Sequence, residues 1–207
     1  MNIVLVTGGA RAGKSCWAAE EATRIAGPDV AFVATAERRD QEMADRIAAH
    51  RLDRHRSWIT IEVPLEVPRA VRDADRPVVI VDCMTLWVSN LLLAADAPGG
   101  PAAGEPVGFD AGGPVGSDAG GPVGPVRAEV ESLLEVAADR TGTLIVVTNE
   151  VGLGLVPDNA LARIYRDLLG WANARVAGQA ERVVLLVAGI PVELRGDRLP
   201  SPPSATT

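Results

Sequence analysis

The sequence lacks the features that mark a nucleic-acid-binding or a membrane-spanning protein. It has 207 residues and a formal net charge of −7, with 27 acidic side chains against 20 basic ones. A nucleic-acid binder would show a basic face, so we expect no nucleic-acid partner. No run approaches the ~18 apolar residues of a transmembrane helix, so we expect no membrane span. The N-terminal "MNIVLVTGG" lacks a basic start and a cleavage site, which indicates a strand rather than a signal peptide.

Cysteine is also scarce, and its spacing excludes a cysteine-based metal site. Cys16 and Cys83 stand far apart and show no metal-ligand spacing. We expect two reduced thiols in the core of a cytoplasmic protein. Free cysteine is usually buried, and disulfides are rare in that compartment.

Lysine is almost absent. Of the 20 basic residues 19 are arginine, and the single lysine is Lys14. A compact ammonium fits among phosphate oxygens in a tight loop where a planar guanidinium does not. The placement of the one lysine therefore favours a working phosphate site over a chance match to a glycine-rich turn.

The residues around Lys14 match the phosphate-binding pattern G-x4-G-K-[ST]. In "VTGGARAGKS", Gly8 is followed after four residues by Gly13, Lys14 and Ser15, with a predicted strand before and a predicted helix after. Glycines let successive N–H groups point inward, and the helix N-terminus adds partial positive charge. We expect Lys14 to reach the β- and γ-phosphates and the Ser15 hydroxyl to ligate Mg²⁺.

The rest of the chain alternates strand and helix patterns. Several predicted strands are continuous Val, Ile and Leu runs, typical of strands buried on both faces of a parallel sheet. The alternation predicts a single α/β domain over residues 1–207, with a doubly wound, mostly parallel, P-loop-type sheet flanked by helices. The predicted strands are 2–7, 30–35, 59–63, 77–82, 143–148 and 182–189. The predicted helices are 14–26, 40–56, 66–74, 85–95, 126–140 and 159–179.

Two segments depart from this pattern. Residues 96–125 repeat "PVG" with a period of eight and are rich in glycine and proline. Such a segment has too few apolar residues to offset its ordering entropy, so we expect a disordered surface insertion. A functional tether or a partner site is the alternative. The tail, residues 197–207, is expected to be flexible.

A second group of polar residues follows the buried strands. Asp82 ends "VVIVD" and is expected to steady the Mg²⁺ shell, although a strand-end cap is the alternative. Ligands of open α/β sheets bind at the carboxyl ends of the strands. Five residues are therefore expected to line one crevice: Thr7, Thr35, Asp82, Asn149 and Glu150.

His50 allows two interpretations. Met43, Ile47 and His50 share one face of the predicted helix 40–56, which suits a core-facing histidine. Its neighbours are basic, however, and include Arg46, Arg51, Arg54 and Arg56. A nucleophilic imidazole among arginines suits attack on a polyphosphate, because guanidinium groups stabilise the developing charge.

Four stretches together resemble one family. They are "VTGGARAGKS", "ATAERRDQEMADRIAAHR", "VDCMTLWVSNLL" and "VTNEVGLGLVPDNALARIYRDLLGWANARVA". The chain resembles the bifunctional adenosylcobinamide kinase/adenosylcobinamide-phosphate guanylyltransferases over nearly its whole length, apart from residues 96–125 and the tail. The resemblance implies phosphorylation of adenosylcobinamide by a nucleoside triphosphate, ATP or GTP, followed by transfer of GMP from GTP through a guanylyl-histidine to the cobinamide phosphate. It also implies a homotrimer.

The resemblance also assigns residues. His50 takes the position of the guanylylated nucleophile, and Glu62 is a candidate acceptor for guanine N–H groups. Ala49 departs from the pattern, since many relatives carry a second histidine there. The "GLGLVPDNALARIYRD" stretch is a candidate corrinoid surface. The positions matching nucleotide-binding residues are Gly8, Gly9, Ala10, Arg11, Ala12, Gly13, Lys14, Ser15, Ala34, Thr35, Ala36, Arg51, Leu52, Asp53, Arg54, Glu62 and Asp82.

Two other functions are weighed against this one. A kinase-only relative would keep the P-loop and lose guanylylation, and it would not need a histidine among arginines. A nucleotide-dependent switch would need a guanine-specificity motif and a water-positioning residue, for which the sequence offers no clear candidate.

Overall fold

The structure, a computed structural model, describes residues 2–37, 55–97 and 122–196. These residues form one seven-stranded sheet with the strand order β3-β2-β4-β5-β1-β6-β7. The strands are β1 (Asn2–Gly8), β2 (Val30–Ala34), β3 (Ile59–Glu62), β4 (Val78–Asp82), β5 (Thr143–Val147), β6 (Arg182–Val187) and β7 (Ile190–Arg195). The helices within the described ranges are α1 (Lys14–Ala26), α2 (Val67–Asp73), α3 (Met84–Asp96), α4 (Val123–Asp139) and α5 (Ala160–Gln179).

The sheet is buried on both faces, as its apolar runs predict. Strands β1 to β6 pair in parallel, and β7 alone pairs antiparallel. One face packs against α2, α3, α4 and α5 around the fully buried Trp87 and Leu133. The other packs beneath α1, where Ala18 and Ala22 let the helix approach the strands closely. The doubly wound, mostly parallel P-loop-type fold is therefore confirmed.

The carboxyl ends of the central strands meet at one rim. Val147 of β5 is level with Val6 of β1 on one side and with Asp82 of β4 on the other. The chain leaves β1 through the phosphate-binding loop and leaves β4 into α3 at this rim. The sheet order therefore places the loop, Asp82 and the end of β5 side by side.

Three details differ from the sequence prediction. The predicted strand 182–189 ends at Val187, and a turn at Ala188 and Gly189, both with positive φ, leads into β7, which was not predicted. The paired positive φ values suit the tight hairpin turn that right-handed strand twist favours. Helix α3 extends to Asp96 and α4 begins at Val123, so both ends of the predicted insertion 96–125 are helical.

The predicted helix 40–56 lies almost wholly outside the described residues, and its last two positions, 55 and 56, are not helical. The rest of the insertion and the tail also lie outside the described ranges. Within those ranges no helix is long and apolar enough to cross a membrane.

Candidate nucleotide site

The loop between β1 and α1 has a backbone that only glycine allows at its start. Gly8 has φ 146°, and a Cβ there would lie 2.4 Å from the carbonyl oxygen of Leu186 on the neighbouring strand. Gly13, at φ 93°, is the N-cap of α1. The Gly189 N–H of the β6–β7 turn donates to the Ala12 carbonyl at 3.2 Å. The hairpin that the sequence did not predict therefore supports the phosphate loop.

The N-terminus of α1 is open to an anion. No side chain in the described part of the chain caps it, and its first turn contains no acidic residue. The first N–H groups of a helix lack partners within the helix, and they carry the positive end of its dipole. A phosphate bound at this end would accept their hydrogen bonds.

Lys14 is the buried cation of the loop. The residue is 8% exposed, and its Nζ donates a hydrogen bond to the Gly9 carbonyl at 2.6 Å. Burial lowers the pKa of Lys14, and the nearby Cys83 and Asp82 oppose that shift. A buried ammonium is costly without anionic partners, so this position favours phosphate oxygens as additional ligands.

A cleft of about 620 Å³ opens above this loop. Its volume lies within the range of small-molecule sites. The predicted residues Glu62 and Asp82 reach it from the ends of β3 and β4, as do Ala34 and Ala36 around the end of β2. The complete lining is Ala10, Arg11, Ala12, Gly13, Lys14, Ser15, Cys16, Ala34, Ala36, Glu62, Asp82, Cys83, Thr85, Leu86, Val147 and Asn149.

Thr35 lies behind the cleft wall rather than on it. It is fully buried, and its hydroxyl donates to the Cys83 carbonyl at 2.8 Å and accepts from the Cys83 N–H at 2.9 Å. The Asn90 side chain donates to the Thr35 carbonyl at 2.9 Å. These contacts join β2, the start of α3 and the residue after Asp82.

The cysteine prediction was partly wrong. Neither thiol forms a disulfide among the described residues, but Cys16 is exposed and lines the cleft rather than the core. Cys83 is half-buried and also lines the cleft. Burial raises the pKa of the Cys83 thiol to about 11, and the Asp82 charge acts in the same direction.

The end of β5 brings a further polar group to the cleft. Asn149 lines it, and the Asn149 N–H donates to the Thr85 hydroxyl at 2.7 Å. Of the other residues predicted at the rim, Glu150 accepts from the Gly152 N–H at 2.8 Å. The Thr7 hydroxyl is buried and has no hydrogen-bond partner among the described residues.

Some predicted residues are not brought into the cleft by the described structure. Gly8 and Gly9 belong to the loop but do not line the cavity. His50, Arg51, Leu52, Asp53 and Arg54 lie outside the described residues. Within the described ranges no group of three or more His, Cys, Asp or Glu side chains could hold a metal ion. Ser15 and Asp82 offer two oxygen donors, which fits Mg²⁺ only if phosphates and water complete its shell.

Sequence reasoning missed several lining residues. Cys16 and Thr85 follow Ser15 and Asp82 closely along the chain, so proximity to the motifs was a usable signal. Leu86 and Val147 carry no such signal in the sequence, since an apolar residue that lines a cleft cannot be distinguished by its sequence pattern from one in the core.

The chain is similar to known proteins over nearly its full length. The family described as cobinamide kinase / cobinamide phosphate guanyltransferase matches residues 4–194. The bifunctional adenosylcobalamin biosynthesis protein CobP of Pseudomonas aeruginosa is 39% identical over 200 residues, which cover 94% of this chain and 98% of that protein. The protein of the same description named CobU in Escherichia coli is 36% identical over 195 residues, covering 93% and 99%.

A solved structure of an ATPase from the type III secretion system of pathogenic bacteria shares the fold. Its TM-score is 0.51 at 17% identity, covering 90% of this chain and 52% of that one. That likeness concerns the fold alone, whereas the sequence matches to the two curated relatives cover 94% and 93% of this chain. The chain belongs to the cobinamide kinase / cobinamide phosphate guanyltransferase family.

Proposed function

We propose that this chain catalyses both reactions of its family in cobalamin biosynthesis. In the first, the γ-phosphoryl group of a nucleoside triphosphate moves to the hydroxyl of the aminopropanol arm of adenosylcobinamide. In the second, GMP from GTP moves to the resulting phosphate and gives adenosylcobinamide-GDP. The observation that carries this proposal is the cleft in which the only lysine, Lys14, stands beside Asp82 in a chain that matches the family over residues 4–194.

The kinase reaction needs a held triphosphate and an oriented acceptor. The N–H groups at the start of α1 and the Lys14 ammonium would bind the β- and γ-phosphates and stabilise the charge of the transition state. Ser15 and Asp82 would hold Mg²⁺, which fits their oxygen donors and supplies charge neutralisation when bound. Low solvent exposure of Lys14 strengthens its attraction to phosphate, because water screens the pair less.

The guanylyl transfer is assigned to His50 through its match to the family's nucleophile. A ring nitrogen of His50 would attack the α-phosphorus of GTP, and the α–β bridging bond would break to release pyrophosphate. A phosphate oxygen of adenosylcobinamide phosphate would then attack the same phosphorus and release the imidazole. Arg51, Leu52, Asp53 and Arg54 are proposed to line the nucleotide beside His50. A homotrimer is proposed on the same resemblance, and a cytoplasmic location on the two cysteines that the sequence predicts to be reduced thiols.

Glu62 is proposed to select guanine. It stands at the carboxyl end of β3 and lines the cleft at its β2–β3 side. A carboxylate there would accept from guanine N1–H and N2–H₂, a pair of donors that adenine does not present. Ala34 and Ala36 line the same cleft with small side chains.

Product analysis tests the two-reaction proposal. Purified protein would be incubated with adenosylcobinamide and Mg²⁺ plus ATP alone, GTP alone or both, and the corrinoids separated by chromatography. We expect adenosylcobinamide phosphate in at least one arm and adenosylcobinamide-GDP only where GTP is present. Phosphate without the GDP product in the GTP arms would show a kinase-only enzyme. Absence of both would reject the proposed function.

A further inference from the structure

The backbone of Asn149 is held by side chains on both sides. Its N–H donates to the Thr85 hydroxyl of α3 at 2.7 Å, and its carbonyl accepts from the Asn173 side chain of α5 at 3.1 Å. Both of its main-chain polar groups are therefore occupied. Among the described residues the Asn149 carboxamide makes no hydrogen bond, so this group is what the residue can offer to a ligand.

The side chains that hold Asn149 form a buried polar network. Thr148 is fully buried, and its hydroxyl donates to the Asn173 side-chain oxygen at 2.8 Å. The Tyr165 hydroxyl donates to the Thr85 carbonyl at 3.2 Å. Buried polar groups cost stability unless they are paired, and a paired network is rigid. Three side chains that are nearly inaccessible to solvent therefore fix the short stretch of chain at the end of β5: Thr85, Thr148 and Asn173.

That stretch lies between the two parts of the phosphate site. Strand β5 stands between β1, which leads into the phosphate loop, and β4, which ends in Asp82. Asn149 follows two residues after Val147, which is level with Asp82. The next residue, Glu150, donates its N–H to the carbonyl of Gly8 at 3.2 Å. Asn149 therefore lines the cleft between the phosphate loop and Asp82, where we expect the outermost phosphate of a loop-bound triphosphate to lie.

We propose that Asn149 is a catalytic residue of the kinase reaction, its side-chain NH₂ donating to an oxygen of the γ-phosphoryl group during transfer. Thr85 and Asn173 are positioning residues that hold its backbone. This inference rests on the proposed function and adds to it a residue and its role. A neutral donor suits the position, because a carboxylate there would repel the phosphate oxygens.

The role is confined to charge stabilisation. In the transfer, the acceptor hydroxyl oxygen bonds to the γ-phosphorus while the bond from that phosphorus to the β–γ bridging oxygen breaks. The nucleoside diphosphate leaves with the electron pair, and the hydroxyl proton passes to solvent. Asn149 gives up no proton, so its loss should lower the rate without adding a new pKa to the rate profile.

The two reactions of the enzyme provide an internal comparison. Guanylylation breaks the α–β bond, and the γ-phosphorus takes no part in it. Removing a donor to the γ-phosphoryl group should therefore slow the kinase reaction and leave guanylylation nearly unchanged. A general loss of fold or of nucleotide binding would reduce both.

The test compares Asn149→Ala with the wild type and with Gln179→Ala, which removes an exposed carboxamide at the far end of α5. We measure kcat and KM for adenosylcobinamide phosphorylation, and separately the formation of the GMP adduct from GTP. Asn149→Ala should lower the kinase kcat about 10²-fold, the loss typical of one transition-state donor, with KM for the triphosphate changed less than about threefold. Adduct formation should stay within about threefold of wild type, and Gln179→Ala should match wild type throughout.

The positioning role has its own readout. Thr85→Val removes the acceptor for the Asn149 N–H and should lower the kinase kcat with KM unchanged, whereas Thr85→Ser keeps the acceptor and should restore kcat. An active wild-type kinase together with an Asn149→Ala kcat within threefold of it would overturn the inference. So would an equal loss of both activities in Asn149→Ala. A wild type with no kinase activity would instead reject the proposed function.

Discussion

The ammonium of Lys14 and the carbonyl of Gly9, five residues earlier in the same loop, are joined by a hydrogen bond of 2.6 Å. The contact ties the cation to the loop, in the cleft that Lys14 lines together with Asp82. Because Lys14 is the only lysine, no other ammonium can replace it.

Replacing Lys14 should therefore remove the kinase activity. Lys14→Ala is expected to lower kcat/KM for adenosylcobinamide phosphorylation by at least about 10³-fold, since it takes a cation from a poorly hydrated phosphate site. Lys14→Arg should restore little, because a planar guanidinium does not fit where a compact ammonium does. Steady-state kinetics with ATP and with GTP would measure kcat/KM for both variants. A near-normal rate for Lys14→Ala would reject the P-loop assignment.

Two adjacent glycines should respond differently to a methyl group. At Gly8 a Cβ would meet the Leu186 carbonyl oxygen at 2.4 Å on a backbone of φ 146°, whereas at Gly9 a Cβ would meet no atom of the described residues within 4 Å. Gly8→Ala should lower the free energy of unfolding by about 2 kcal/mol or more, because contact and backbone strain add. Gly9→Ala should leave the free energy of unfolding within about 0.5 kcal/mol of the wild-type value. Chemical denaturation of both variants would check this, and equal stabilities would contradict it.

The two thiols should differ in reactivity, and nucleotide should protect one of them. Cys16 is exposed on the first turn of α1 and lines the cleft. Cys83 has a pKa of about 11, so at pH 8 it is protonated and a poor nucleophile. Iodoacetamide at pH 8 should label Cys16 alone, and saturating GTP with Mg²⁺ should slow that labelling severalfold. Peptide mass spectrometry would locate the label, with Cys16→Ser as the control. Labelling unaffected by nucleotide would place the triphosphate away from α1.

An ion-pair cluster should make the stability depend on pH. Glu21 of α1 accepts from Arg24 at 2.8 Å and from Arg182 of β6 at 2.5 Å. The Arg24 hydrogen bonds, together with the charges of both arginines, hold the pKa of Glu21 below its usual value. The carboxylate therefore stabilises the fold above pH ~4.5, and this contribution is lost as the pH falls through the lowered pKa. Glu21→Gln should be less stable than wild type at pH 7 and closer to it near pH 3.

Thermal unfolding across pH 3–7 would measure the Glu21 effect. The matched control is Glu135→Gln on α4, since Glu135 is exposed and makes no ion pair with another described residue. A constant difference between wild type and Glu21→Gln at all pH values would contradict the ion-pair explanation.

The sequence predicts those parts of this protein whose signals are local. The pattern around Lys14 needs only a glycine-rich turn between a strand and a helix, and the apolar run before Asp82 needs only burial on both faces. Strand β7 was missed because Ala188 at a positive φ is an unusual turn residue and because "IPVELR" contains a proline, which is tolerated on an edge strand.

The supporting polar residues could not be predicted, because each acts through a partner distant in sequence. Thr35 is 48 residues from Cys83, and Thr85 is 64 residues from Asn149. The local sequence around a threonine or an asparagine in a strand or helix does not predict such a contact. Only the sheet order brings the partners together, so the roles of Thr85 and Asn173 require the structure.

The central claim, transfer of GMP through His50, is tested most directly by intact-protein mass spectrometry. Wild type and His50→Ala would be incubated with GTP and Mg²⁺, with pyrophosphate release followed in parallel. The account predicts a gain of one GMP in the wild type alone, through a bond that is labile in acid and stable in base, as expected of a phosphoramidate. No adduct in a protein that phosphorylates adenosylcobinamide, or an adduct that persists in His50→Ala, would contradict it.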